Sequence, residues 1–128
     1  MTDQAVPVPL DWDRSGLPAW TYHSPALLDL EKRGVFLSHW QVVGHVSDLP
    51  ATGDWLAFDL LGERALVIRG RDGVVRAFHN LCRHRGARVV DGAQGQCRGA
   101  VVCPFHGWVY NLDGSLRGAA QPTAESLL

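Results

Sequence analysis

Between Trp55 and His79 the chain reads as strands. Trp55-Leu56-Ala57-Phe58-Asp59-Leu60, Ala65-Leu66-Val67-Ile68-Arg69 and Val74-Val75-Arg76-Ala77-Phe78-His79 are runs of aliphatic, aromatic and β-branched residues, the types that suit a pleated, half-buried surface. Leu61-Gly62-Glu63-Arg64 and Gly70-Arg71-Asp72-Gly73 separate them as turns, so an antiparallel meander is predicted. Upstream, Trp40-Gln41-Val42-Val43 is also β-prone and Asp48-Leu49-Pro50 ends it. A helix is predicted from Ser24 onward: Ser24 suits the N-cap, Pro25 the first helical position, and Leu27, Leu28, Leu30 and Glu31 follow. Gly34 weakens that helix, although Val35, Phe36 and Leu37 could extend its apolar face. Before it, Pro7, Pro9, Gly16 and Pro18 mark an irregular arm, which Trp12 and Trp20 would hold against the domain. Beyond the meander, Asp91-Gly92-Ala93-Gln94-Gly95 reads as loop and Ala100-Val101-Val102 as strand. Val109-Tyr110-Asn111-Leu112-Asp113-Gly114 reads as a strand ending in an Asp-Gly turn, and a tail begins at Gln121-Pro122. The expected fold class is mainly β: an antiparallel domain over 39–118, preceded by an arm and short helix over 1–38 and followed by a tail over 119–128.

Composition narrows the class. At 128 residues, with 46% apolar and 20% charged residues, the chain is one globular domain by length, with a modest core. A formal net charge of -1 gives no sign of nucleic-acid or membrane binding. Met1-Thr2-Asp3-Gln4 lacks the basic and apolar regions of a signal peptide, and no apolar run is long enough to span a bilayer. Three cysteines are an odd number, which argues against a closed disulfide framework. A reducing, cytoplasmic setting with thiols free to hold metal is the expectation.

The chemistry concentrates in two stretches, Cys82-Arg83-His84-Arg85-Gly86 and Cys103-Pro104-Phe105-His106-Gly107-Trp108. Each offers one thiol and one imidazole, ligands that suit iron–sulfur clusters and zinc. Cys82, His84, Cys103 and His106 could thus hold a [2Fe–2S] cluster with two sulfur and two nitrogen ligands, or a structural zinc ion. The sequence context favours the cluster, because zinc modules usually pair Cys with Cys and His with His. With neutral imidazoles such a cluster carries no net charge when oxidised and one negative charge when reduced. An all-cysteine cluster is more negative in both states and resists the electron more. That is one reason His-ligated clusters lie at roughly -150 to +300 mV, against about -400 mV for plant-type clusters. Gly86 and Gly107 would allow backbone N–H groups to approach the sulfurs, while Pro104 stiffens the second loop. Arg83, Arg85 and Arg88 could stabilise a reduced cluster or dock an acidic partner, or be solvated loop charges. Cys97 reads as a spare thiol, His79 as a strand-end residue that could reach the cluster, and His23, His39 and His45 as ordinary histidines.

In these ligand loops the chain resembles the Rieske family. The cysteines, the histidines, the glycine after each ligand pair and the proline between Cys103 and His106 all fall in register. Respiratory Rieske proteins, as the family pattern goes, carry an extra cysteine in each loop and a serine after the second His-Gly. Here those positions hold Ala87, Phe105 and Trp108. The resemblance therefore implies no inter-loop disulfide, one hydroxyl donor fewer, and a potential toward the lower end of the Rieske range.

A second resemblance covers most of the chain. Leu17-Pro18-Ala19-Trp20, Leu30-Glu31-Lys32-Arg33 and His39-Trp40-Gln41-Val42-Val43-Gly44-His45-Val46 are similar to the N-terminal part of Rieske non-haem iron oxygenase alpha subunits. So are Phe78-His79-Asn80-Leu81-Cys82-Arg83-His84-Arg85-Gly86-Ala87 and the stretch from His106 to Gly114. That group includes ring-hydroxylating dioxygenases and amine demethylases related to glycine-betaine monooxygenase. The resemblance implies that Cys82 and Cys103 bind one iron and His84 and His106 the other. It implies electrons arriving from a reductase or ferredoxin and leaving for a mononuclear Fe(II) in a catalytic domain, often in an adjacent alpha subunit. The chain ends at Leu128, soon after the second loop. That domain would need on the order of 200 further residues, so this chain is expected to shuttle electrons rather than oxygenate alone. A stand-alone ferredoxin-like carrier and a structural zinc module are the alternatives.

Overall fold

The computed structural model describes residues 16–119. They fall into two compact units that divide between Gln41 and Val42. The first contains a 3-10 turn, Ala19–Tyr22, and helix α1, Pro25–Glu31. The Ser24 hydroxyl caps α1 by accepting from the Leu27 N–H at 3.2 Å, and Pro25 opens it. The expected extension past Gly34 takes the form of a π-helical turn, Lys32–Phe36. Trp20 is exposed, and Trp12 lies outside the described residues, as does the tail from Gln121.

In the second unit, β1 (Asp54–Leu60), β2 (Glu63–Arg69) and β3 (Val75–His79) form the predicted meander. The β1–β2 hairpin pairs Trp55 with Ile68 and Leu60 with Glu63. Its two-residue connection has φ of 52° at Leu61 and 94° at Gly62. Positive φ at both positions is the turn whose twist matches a hairpin, although leucine rarely adopts it. A fourth strand, β4 (Gln94–Gln96), pairs antiparallel with β1, so the sheet order is β3-β2-β1-β4. This corrects the reading of Asp91–Gly95 as pure loop. The Gln-Gly-Gln run has no apolar signal because its middle residue is shaped by packing: a methyl group on Gly95 would sit 2.6 Å from the Trp55 indole.

A second sheet has the order β5-β6-β7, from Val101–Val102, Val109–Tyr110 and Leu116–Gly118. The sequence placed β5, β6 and the turn at Asp113-Gly114, but not β7. That turn is closed by Ser115, whose N–H donates to Asp113 Oδ1 at 2.9 Å, and whose carbonyl accepts from the Asn111 N–H at 2.8 Å. The expected strand at Trp40–Val43 does not form. No strand among the described residues pairs with it, and Trp40 and Val42 are almost wholly exposed. β-propensity describes fit to a sheet and does not create one without a partner ladder. Among the described residues no helix is long and apolar enough to cross a membrane.

One core ties the two sheets together. Trp55, Leu66 and Ile68 from the first sheet pack with Val101 of β5, with Leu112 of the turn between β6 and β7, and with Val89 and Val90 from the segment between the sheets. Cys82 and Cys103 belong to the same buried cluster, at 3% and 2% exposure. The thiols are thus fixed by core packing, while the residues after them turn outward.

Candidate metal centre

The first candidate loop leaves β3 and the second is the hairpin between β5 and β6. Their cysteine-to-histidine spacings differ, yet the same two hydrogen bonds close both loops. In the first, the Cys82 N–H donates to the Ala87 carbonyl at 2.7 Å, and the Gly86 N–H donates to the Cys82 carbonyl at 2.9 Å. In the second, the Cys103 N–H donates to the Trp108 carbonyl at 2.8 Å, and the Gly107 N–H donates to the Cys103 carbonyl at 3.0 Å. Gly86 and Gly107 have φ of 70° and 69°, a left-handed conformation glycine adopts without steric cost. Each loop therefore presents a cysteine inward, toward the core, and a histidine outward.

The histidines meet at the surface. The His84 and His106 rings lie edge to face with centroids 4.6 Å apart. Trp108 stacks on His84 at 5.0 Å with an interplanar angle of 7°. Phe105 is exposed and leans against its neighbour His106 at 3.9 Å. Beneath the rings, the Tyr110 hydroxyl is 3.2 Å from Cys82 Sγ and accepts the Arg83 N–H at 3.0 Å. Burial pushes the Tyr110 hydroxyl up, and its hydrogen bond with Cys82 pushes it further; against a Cys82 thiolate, which can only accept, the hydroxyl is the donor. For Cys82, burial acts to raise the thiol. The Tyr110 hydroxyl, the nearby backbone N–H groups of His84 and Arg85 and the neighbouring Cys103 thiol outweigh it and hold Cys82 below its ordinary value. A thiolate is the form that ligates metal.

The other singled-out residues separate cleanly. Arg88 bonds Asp59 of β1 at 2.5 Å. Arg83 and Arg85 have no acidic partner among the described residues. His79 lies 3.8 Å from Glu63 at the outer end of β2 and makes no bond to either loop. Nδ1 of His45 accepts from the Ser47 N–H, and His39 bonds the Val35 carbonyl. Cys97 lies outside both loops, and burial raises its thiol. A cavity of about 240 Å³ sits behind Tyr110, between Leu66, Phe78, Arg83 and Asn111, and does not include the four candidate ligands.

Asn80 and Tyr110 are contributors that the sequence did not single out. Asn80 is wholly buried. Its side chain accepts from the Val89 and Val90 N–H groups at 3.0 and 3.1 Å and donates to the Val90 carbonyl at 3.0 Å. It pins the far end of the first loop to the strand before it. Nothing in a lone Asn ahead of Leu81-Cys82 signals this, because the partners are backbone groups nine and ten residues away. Tyr110 could have been suspected from its place just past the second ligand loop, but its target lies on the first.

The donor set fits a binuclear cluster. Two buried sulfurs, one within hydrogen-bond reach of a hydroxyl, and two exposed imidazoles make up the mixed donor set such a cluster takes. A structural zinc ion needs four donors around one point. Among the described residues no group of three or more His, Cys, Asp or Glu is placed to hold one ion. Residues 39–127 match the family model described as Rieske [2Fe-2S] domain. The chain belongs to the Rieske [2Fe–2S] family. It is 40% identical over 109 residues to the glycine betaine monooxygenase oxygenase subunit of Chromohalobacter salexigens, covering 85% of this chain and 24% of the relative. It is 39% identical over 103 residues to the carnitine monooxygenase oxygenase subunit of Acinetobacter baumannii, covering 77% of this chain and 28% of that one. The solved quaternary ammonium Rieske monooxygenase CntA superposes with a TM-score of 0.78 at 36% identity, over 82% of this chain and 29% of that chain. Naphthalene 1,2-dioxygenase superposes at 0.70 and 33% identity, over 77% and 22%. The Rieske chain spans about a quarter of the length of these relatives. It is the mainly antiparallel Rieske domain of the kind carried by oxygenase alpha subunits, and its cofactor is the Rieske [2Fe–2S] cluster.

The Tyr110–Cys82 contact makes a direct prediction. With Cys82 as a cluster ligand, a hydrogen bond to its sulfur would stabilise the extra negative charge of the reduced state. Tyr110→Phe should therefore lower the midpoint potential while leaving the cluster bound, as read by a redox titration followed by absorbance or EPR.

Proposed function

We propose that this chain holds its cluster through Cys82 and Cys103 on one iron and His84 and His106 on the other, and relays single electrons for an oxygenase. The observation that carries the reading is the matched closure of the two loops, which sends both thiols to the core and both imidazoles to the surface. When bound, the cluster supplies a one-electron couple. The chain's residues do the rest. Core packing fixes the sulfurs and Tyr110 shares a hydrogen bond with Cys82, and in this reading the exposed His84–His106 edge is where the exchange partner docks. In this reading residues 39–118, inside the span of the family match, are the cluster-carrying domain.

The donor in this reading is a reductase or ferredoxin. The acceptor is a mononuclear iron in an oxygenase catalytic domain of the same or an adjacent alpha subunit. The structure of one related quaternary ammonium Rieske monooxygenase gives insight into inter-subunit electron transfer in that protein. Glycine betaine and carnitine monooxygenase subunits share 40% and 39% identity with this chain, against 34% for a biphenyl dioxygenase alpha subunit. A quaternary amine is therefore the favoured final substrate class. The test is metal and sulfide analysis of anaerobically purified chain. About two irons and two acid-labile sulfides per chain support the reading, and stoichiometric zinc without sulfide defeats it.

A further inference from the structure

We propose that Trp108 is a positioning and tuning residue for the cluster: its indole, stacked on His84, fixes that imidazole's plane and covers one face of it from water, holding the midpoint potential down. The inference rests on the ligand assignment above and goes beyond it. Two observations carry it. First, the two imidazoles are treated unequally. His84 has Trp108 parallel on its face at 5.0 Å and 7°, and His106 against it at 71°. Among the described residues the other ring against His106 is that of its sequence neighbour Phe105, at a tilt of 47° and itself exposed. Second, Trp108 is itself anchored. Its carbonyl accepts the Cys103 N–H at 2.8 Å, closing the second loop, and its side chain is half-buried against the core cluster. The indole thus projects from the second loop onto the first loop's ligand and couples the two.

The sign follows from electrostatics. Reduction adds one negative charge, and excluding water from a site disfavours its more charged form. The negative face of the indole also favours the less electron-rich state of the imidazole beneath it. Both effects lower the potential. Smaller side chains at position 108 would admit water and leave the His84 ring free to rotate.

The experiment uses the full chain, loaded anaerobically, as wild type and as Trp108→Ala, Trp108→Leu and Trp108→Phe. Each is titrated for midpoint potential, and the reduced form is examined by EPR and by nitrogen hyperfine spectroscopy. The expected result is a more positive midpoint for Trp108→Ala, an intermediate one for Trp108→Leu, which keeps apolar cover without the stack, and a near wild-type one for Trp108→Phe. The coupling of one of the two histidine nitrogens should change in Trp108→Ala and recover in Trp108→Phe. A loaded Trp108→Ala, or Trp108→Leu if the alanine variant fails to load, with unchanged midpoint and couplings overturns the inference while leaving the ligand assignment standing. A wild-type chain with no histidine nitrogen coupling at all overturns the assignment on which it rests.

Discussion

Asn80→Ala is expected to cost the domain a large part of its stability, whether or not the cluster is bound. The substitution leaves the Val89 and Val90 N–H groups and the Val90 carbonyl without partners in a site that water does not reach. Each buried group left unsatisfied costs about 1–3 kcal/mol, so three together cost about 3 kcal/mol at the least. A domain of this size has about 5–15 kcal/mol in total. Asn80→Asp keeps an oxygen for the two N–H donors and loses the N–H that reaches Val90, at the added cost of a buried carboxylate. Chemical denaturation monitored by far-UV circular dichroism should place both variants well below wild type. A midpoint for Asn80→Ala within the error of wild type would show that the clamp is dispensable.

Cys82→Ser and Cys103→Ser should each abolish cluster binding. The serine oxygen is a harder ligand than the sulfur it replaces, and clusters select soft thiolates. Loss of an outer hydrogen-bonding partner typically costs a metal site roughly 10–100-fold, and loss of a ligand should exceed that. Both sulfurs also belong to the buried cluster that joins the two sheets. Putting a hydroxyl in place of a buried sulfur there adds a desolvation penalty of about 1–3 kcal/mol, partly offset at position 82 by the Tyr110 hydroxyl beside it. Iron and sulfide analysis after anaerobic reconstitution reads the first effect and thermal melting the second. By contrast, Cys97→Ser should retain the cluster, because Cys97 lies outside both loops. Retention of the cluster in Cys82→Ser together with its loss in Cys97→Ser would reverse the assignment.

The contrast between Asn80 and Cys82 shows what the sequence could reveal. The ligand types and the glycines behind them are local signals: thiol, imidazole and a residue that tolerates positive φ, within five positions. The meander was legible for the same reason, since β1, β2 and β3 each carry their own apolar pattern and their turns lie next to them. What stayed hidden depends on partners far along the chain. β4 exists because Gly95 fits under Trp55, and Trp40–Val43 stays out of any sheet because no described strand lies beside it. Tyr110 acts on a sulfur 28 residues away and Asn80 on backbone ten residues away. The equivalence of the two loops was hidden too. Their Cys-x-His and Cys-x-x-His spacings look unlike, and only the shared closing bonds at Gly86 and Gly107 show them to be the same device.

The account's central claim is mixed cysteine and histidine ligation of one [2Fe–2S] cluster by this chain. EPR of the anaerobically purified protein before and after dithionite tests it most directly. The account predicts silence before reduction and, after it, a signal whose average g lies distinctly below that of all-cysteine [2Fe–2S] clusters. A signal with the all-cysteine average, or none from a protein that retains stoichiometric zinc, would contradict it.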